Sequence, residues 1–322
     1  MTAATESSGK TTLNSTSEAC GAITLATLGV LRARGPDALA FLQGQLSNDM
    51  TRLSHERSLL AGYHNPQGRV IALMRLLQLA PDDVLAILPR ELLAAVLQRL
   101  SRFILRAKVK LTDESAAWAV HGLVLASQAS VARAFIAALP QAPEGAASLQ
   151  GSMAVRMRHE PRRWLLVTPA SQAIPALKEC APVSEDTWRG LAVAAGEPQV
   201  YAATCEEFVA QMLNLDALGA IAFDKGCYTG QEVIARAHYR GRVKRRLQRF
   251  RTHAGVQLQP GTAGTLADGR SFKVVEAVRL ADGQWEFLAV AALAAEAPGQ
   301  GDPAAAGVLA AEQLELPYAL SD

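Results

Sequence analysis

Apolar residues recur three and four positions apart at Leu92, Leu93, Val96, Leu97, Leu100, Phe103 and Ile104, the strongest amphipathic helical pattern in the chain. Upstream the pattern is shorter and more strand-like. Residues 23–31 form an apolar run of buried-strand length, after which Gly35-Pro36-Asp37 opens a helix with Pro in its first turn. That helix carries Leu39, Phe41, Leu42, Gln45 and Leu46 and ends near Ser47-Asn48-Asp49. Two more apolar runs, 58–63 and 69–79, flank Asn65-Pro66-Gln67-Gly68, where Pro suits the second turn position and Gly the last. This predicts a hairpin. A strand over 83–88 then leads through Pro89 into the amphipathic helix.

Beyond it, extended segments are expected at 108–111 and 117–126 and a helix at 131–139. Residues 140–147 are rich in Pro, Gly and Ala and read as a surface loop. A second hairpin follows at 153–158 and 164–167, about Glu160-Pro161. Ser184, followed by Glu185 and Asp186, supplies the capping hydroxyl and acidic first turn of a helix reaching Ala195. Strands, helices and hairpins thus alternate irregularly, which predicts an α+β fold in preference to a doubly wound parallel sheet. After about Gly241 the texture changes to Gly-containing turns, Asp268-Gly269 and Asp282-Gly283, beside runs 271–278 and 284–291. A small antiparallel β-barrel is expected there. The organisation predicted is a disordered Ser- and Thr-rich tail over 1–19, an α+β region over 20–240 made of two subdomains meeting near 112, and the β domain over 241–322.

Composition narrows this picture only slightly. The 322 residues, half of them hydrophobic, suffice for two or three cores. A formal charge of +2 singles out neither nucleic acid nor membrane as partner. No run approaches the ~20 apolar residues of a membrane span, and the apolar stretch 19–31 follows Glu18 without a basic start or a clear cleavage site. A cytoplasmic protein is expected. Cys20, Cys180, Cys205 and Cys227 lack paired metal-site spacing and read as reduced thiols, the first three structural. The scattered histidines form neither a metal triad nor a Ser–His–Asp set.

The candidate chemistry lies in Phe223-Asp224-Lys225-Gly226-Cys227-Tyr228-Thr229-Gly230-Gln231-Glu232. Gly226 and Gly230 allow a tight turn that presents the Cys227 thiol, and Lys225 beside it would favour the thiolate. On residue chemistry alone a structural cysteine in a tight loop fits as well. The stretch resembles the K-G-C-Y-x-G-Q-E signature of the YgfZ family. The likeness extends upstream through Glu206-Glu207-Phe208-Val209 and Gln211-Met212-Leu213-Asn214-Leu215-Asp216, and downstream through Val233 to Gly241, with Arg236 among the motif residues. It also reaches Phe41-Leu42-Gln43-Gly44-Gln45-Leu46-Ser47-Asn48-Asp49 and Gly68-Arg69-Val70. The resemblance implies a three-part fold like the glycine cleavage aminomethyltransferase, with ferredoxin-like α+β subdomains, a C-terminal β-barrel and a central pocket for tetrahydrofolate or a derivative. It implies a role in maintaining iron–sulfur enzymes, including radical enzymes that thiolate tRNA; for the thiol itself, a transiently held iron–sulfur or sulfur species and exchange with an oxidised partner thiol both stay open. Cys227, Lys225 and Tyr228 would then carry the chemistry, and Trp188, Gln45, Asn48, Asp49 and Glu197 would meet the folate.

Several positions depart from the related transferases. The acidic residue that serves one-carbon chemistry falls at or beside Ala72, so aminomethyl transfer lacks an obvious acid or base. A pterin-holding glutamate lands near Ala194, with Glu197 close by; Trp188 matches a family tryptophan, whereas Leu28 stands where another is found and Ala210 replaces a proline. Trp188 also suits a plain core anchor. Arg236, Arg240, Arg242, Lys244, Arg245, Arg246, Arg249 and Arg251 form a basic run interleaved with His238 and Tyr239. That run suits tRNA phosphates, a folate tail, an acidic partner or a solvated strand face. Two alternative functions remain open at this point: a folate-dependent transferase with its acid moved to Asp49 or Glu197, and an RNA-binding module.

Overall fold

The computed structural model describes residues 20–125, 133–160, 162–241, 243–253, 255–293 and 308–320. The expected tail over 1–19 lies outside these. Strand β1 (Cys20–Thr24) is followed by β2 (Leu28–Arg34), helix α1 (Ala38–Gln45), the hairpin β3 (Leu59–His64) and β4 (Val70–Ala80), β5 (Asp83–Pro89), helix α2 (Arg90–Ser101) and β6 (Lys110–Asp113). Strands β3-β4-β5-β2-β6 make an antiparallel sheet in that order. Its central strands β4 and β5 are mainly apolar and buried along most of their length, because both of their faces are covered. On β5, Val84, Ala86 and Leu88 enter the core under α1 and α2, whereas Leu85 and Ile87 enter a second core on the opposite face. The amphipathic helix stops at Ser101, short of the predicted Phe103 and Ile104, and its hydroxyl donates to the Leu97 carbonyl at 2.7 Å.

The second core is closed by another sheet. Strand β7 (Trp118–Leu125), helix α3 (Arg133–Ala138), strands β8 (Ala146–Leu149), β9 (Ser152–Arg156) and β10 (Arg163–Pro169), helix α4 (Pro175–Lys178), β11 (Ala181–Pro182) and helix α5 (Glu185–Ala194) follow in the chain. The sheet order is β11-β1-β7-β10-β9-β8, with β1 and β11 parallel. Val120, Val124, Val155, Leu165 and Val167 face the first sheet, and Trp188 of α5 joins them. Ser184 caps α5 as expected, its hydroxyl accepting from Thr187 N at 3.1 Å.

Three expectations need correction here. The run 23–31 is two strands in different sheets, because the chain turns at Leu25, whose carbonyl accepts from Leu28 N at 3.1 Å. Its uniformly apolar or small residues hide that turn from periodicity. The stretch 140–147 is not simply a surface loop: Glu144 is buried, accepts from Arg75 and forms an ion pair with Arg158 at 3.3 Å. Cys20 and Cys180 are joined in a disulfide across the β1–β11 edge, so the described thiols that remain free are Cys205 and Cys227. A separation of 160 residues gave the sequence no spacing signal for that bond.

Helix α6 (Gln231–Tyr239) leads to the last sheet, built from β12 (Arg245–Thr252), β13 (Ala263–Leu266), β14 (Ser271–Arg279), β15 (Trp285–Ala292), β16 (Val308–Leu309) and β17 (Glu312–Leu314). The order β16-β13-β14-β15-β12-β17 puts β16 and β17 at opposite edges, although only Ala310 and Ala311 separate them in the chain. The sheet therefore curls into a half-barrel. It is antiparallel except for β13 and β16. Phe250, Phe272, Val274 and Phe287 fill the curl, while Leu247, Val275, Leu288 and Val290 join the core of the first sheet. Leu247 and Phe250 both lie on β12, and Val243 precedes it. Among the described residues no helix is long and apolar enough to cross a membrane.

Candidate functional site

The Cys227 bend is fixed from below. Lys225 Nζ donates to the main-chain carbonyls of Gln43 and Leu46, both at 2.6 Å, and of Asn48 at 2.9 Å, which ties the bend to the end of α1. Its ammonium also lies 4.9 Å from the centre of the Tyr228 ring. All three protons are thus engaged, which makes Lys225 a clamp on the bend. Burial draws its pKa down to about 8, against a smaller opposing pull from Asp49. Tyr228 is buried beside His64, the ring centres 6.2 Å apart, and burial pushes its phenol up to about 12.

Gly230 ends the bend and caps α6 at a φ of 83°; a Cβ there would stand 2.5 Å from the Asn65 carbonyl oxygen. Gly68, on the β3–β4 turn, abuts Val233 in the same way, with an added Cβ 3.0 Å from that side chain. Only glycine lets these two backbones meet. Gln231 accepts from Tyr228 N at 3.3 Å and donates to the Lys225 carbonyl at 3.4 Å, closing the bend on itself. Gly226 and Cys227, at its tip, are exposed. The sulfur is therefore offered outward on a chain whose neighbouring polar groups are satisfied within the protein.

Asn48 and Asp49 contribute to the same support. Asn48 Nδ2 donates to the carbonyls of Leu60 at 2.7 Å and Gly219 at 2.9 Å. Asp49 accepts from Thr51 Oγ1 at 2.8 Å and from Gln43 Nε2 at 3.1 Å. Burial alone would raise the Asp49 pKa, but the bonds from Thr51 and Gln43 and the charge of Arg52 outweigh it, so the carboxyl sits below its usual range. His64 is wholly buried: burial pushes its pKa down to about 3, against a weaker opposing effect of the Gly62 main chain, and neither ring nitrogen has a partner in bonding geometry.

A separate cavity of about 860 Å³ opens between the first two sheets, α5 and the half-barrel. Leu28, Leu60, Leu73, Ile87 and Leu165 form much of its apolar wall. Trp188 adds an indole that packs on Gly122, where a Cβ would lie 2.7 Å from the ring. The tryptophan is thus both a core anchor and part of the cavity wall. Arg163 lies across it, 5.3 Å from the ring centre, and donates to Glu197 Oε2 at 2.8 Å. Glu197 Oε1 and Arg163 Nε have no partner. On the opposite side Tyr201 and Arg189 both donate to Glu276, and burial, reinforced by that carboxylate, raises the Tyr201 phenol pKa.

Of the residues proposed to meet a ligand, Trp188 and Glu197 line this cavity, as does Leu28; Gln45, Asn48, Asp49 and Cys227 are not among its lining residues. Strand β4 turns Leu73 and Arg75 toward the cavity, while Ala72 is buried in the core of α1 and α2, opposite Tyr63. The strand therefore presents no carboxylate to the cavity. Other lining acids are engaged: Glu91 accepts from Ala202 N and Glu185 from Thr27 Oγ1, each at 2.8 Å. Sequence reasoning missed Arg75, Arg163, Arg189, Tyr201 and Glu276. A usable signal existed for the first two, since an arginine inside an apolar strand run needs a buried partner.

The basic run is divided by the fold. Arg246 is buried in a two-bond pair with Asp216, both contacts at 3.0 Å, and Arg249 and Arg251 pair with Glu286. Arg236 and Arg240 on and after α6, and Lys244 beyond it, are exposed, whereas Arg242 lies outside the described residues. Among the described residues no three His, Cys, Asp or Glu side chains converge as a metal site.

No protein-family model matches the chain. It is 33% identical over 261 residues to the tRNA-modifying protein YgfZ of Klebsiella pneumoniae (strain 342), an alignment covering 78% of each protein. It is 31% identical over 266 residues to the protein of the same name from Edwardsiella ictaluri (strain 93-146), covering 79% of this chain and 78% of that one. Among solved structures, the glycine cleavage system aminomethyltransferase T from Bartonella henselae superposes with a TM-score of 0.67 over 85% of this chain and 79% of that one, at 14% identity. The last likeness establishes a shared mixed α+β fold.

Proposed function

Because the chain belongs to the YgfZ family, whose curated relatives are named tRNA-modifying proteins, we propose that it is a folate-binding accessory factor that maintains iron–sulfur enzymes, including those that thiolate tRNA. The observation that carries the reading is the exposed Cys227 sulfur on a bend anchored by Lys225, beside a fold that holds a large apolar cavity. Thiols presented in this way exchange with oxidised partners or hold sulfur and metal species transiently. The client enzymes and a transient iron–sulfur species are the partners of that sulfur.

The cavity residues fit a tetrahydrofolate. Its volume, about 860 Å³, is in the range of small-molecule sites, and its walls are mainly apolar. Glu197 Oε1 is an acceptor without a partner, suited to the amide and amine donors of a pterin, and the indole of Trp188 offers a flat apolar surface. Arg90, exposed at the edge of the lining, suits the carboxylates of the folate tail. When bound, tetrahydrofolate supplies a carrier for one-carbon units. The chain's own residues bind and orient it, and the engaged acids around it leave proton transfer without an agent.

The transferase alternative has less support, since Asp49 is held by Thr51 and Gln43 and Glu197 is paired with Arg163. A tetrahydrofolate-dependent aminomethyl transfer assay is expected to show no turnover. The principal test is protection of a purified clustered tRNA-thiolating enzyme during exposure to oxidant. Wild-type protein is expected to preserve its activity and Cys227→Ala to leave it at the unprotected level; equal protection by the two would overturn the role given to the thiol.

A further inference from the structure

Around the first residue of the cysteine motif, three rings form a cluster at the surface. Phe223 and His238 stack with centres 3.8 Å apart and planes 14° apart. Tyr239 meets both nearly at right angles, at 6.1 and 4.7 Å, and remains 68% exposed. A tyrosine held this way at the end of a helix offers ring surface to a partner without further ordering. Arg236 and Arg240 are exposed in the same segment, and Lys244 follows. The nearby acids are Glu232, one turn before Arg236, and Asp224, which is paired with Arg52 at 2.9 Å. The surface therefore carries a net positive charge.

Exposed rings alternating with cations match a strand of unpaired nucleotides, whose bases stack and whose phosphates need counter-charges. A protein partner would more often be met by a larger apolar centre, and here Val233, 40% exposed, is the large aliphatic side chain that α6 leaves open. We propose that the exposed side of α6 docks single-stranded RNA, with the open face of Tyr239, held edge-on by His238, stacking an unpaired base and Arg236 and Arg240 meeting the adjoining phosphates. This places RNA beside the bend that carries Cys227. None of these residues lines the cavity, so the interaction stands independently of folate binding.

The test is fluorescence anisotropy with a labelled single-stranded RNA dodecamer of mixed sequence, in salt from about 50 to about 200 mM. Wild-type protein binds, and the affinity falls steeply with salt. Tyr239→Ala weakens binding by about tenfold, and Arg236→Gln with Arg240→Gln weakens it further while flattening the salt dependence. Unchanged melting temperature and unchanged tetrahydrofolate affinity in these variants separate docking from misfolding and from the function proposed above. Absence of RNA binding by the wild type, or equal binding by the variants, would overturn the inference. Loss of client protection in Tyr239→Ala without RNA binding would reassign the surface to a protein partner.

Discussion

The cavity and the cysteine bend are built on opposite plans. In the cavity, polar and charged side chains engage one another: Arg163 with Glu197, and Arg189 and the neutral Tyr201 with Glu276. At the bend, Lys225 engages main-chain carbonyls and leaves no side chain tied to the thiol by any described bond. Side-chain pairs fix the walls of a receptor while leaving single acceptor atoms for a ligand. Main-chain anchoring fixes a loop while leaving its tip chemically free. The same fold can thus hold a small molecule in one place and present a reactive sulfur in another.

The largest stability effect is expected from breaking the cavity pair. Arg163→Ala would strand Glu197 in a buried setting and cost about 3–5 kcal/mol, read from urea denaturation. Glu197→Gln keeps the shape and a bond to Arg163 but leaves that buried cation without its counter-charge, so it lowers stability by less than Arg163→Ala and lowers the tetrahydrofolate affinity of the folded protein by about tenfold. A smaller effect follows from His64. Its folded pKa near 3 lies below the unfolded value of 6.5, so the unfolded state takes up the extra proton as pH falls between them. The stability contribution is complete above pH 6.5 and declines on acidification, by about 3 kcal/mol at pH 4. Comparing wild type with His64→Leu in denaturation at several pH values isolates that slope, and parallel curves would contradict it.

Smaller again is the expected effect of Lys225→Met. It removes three charge-assisted bonds from a half-buried position and is expected to cost about 2 kcal/mol, with the bend more readily cleaved by protease. An unchanged melting curve and unchanged cleavage would show that the clamp does not order the bend.

The two regions also differed in how much the sequence disclosed. The bend is a contiguous motif, and its glycines, cysteine and hairpin partner at Gly68 were all legible from local chemistry and resemblance. The direction of Lys225 was not, since its acceptors are main-chain atoms nearly 180 residues away, at Gln43, Leu46 and Asn48. The cavity draws on Leu28, Leu73, Arg163, Trp188 and Glu276, brought together by three sheets, so only Trp188 and Glu197 were anticipated. The β3–β4 hairpin and α2 were readable because their turn chemistry and periodicity are local. The break between β1 and β2 was concealed by apolar residues on both sides, and the Cys20–Cys180 bond by its span.

The separation of receptor from thiol is tested most directly by titrating tetrahydrofolate into wild type, Cys227→Ala and Glu197→Gln, each also assayed for protection of the clustered enzyme. Cys227→Ala should bind folate as the wild type does yet protect nothing, whereas Glu197→Gln should bind folate weakly. A Cys227→Ala protein that loses folate affinity while remaining folded, or that protects fully, would contradict the account.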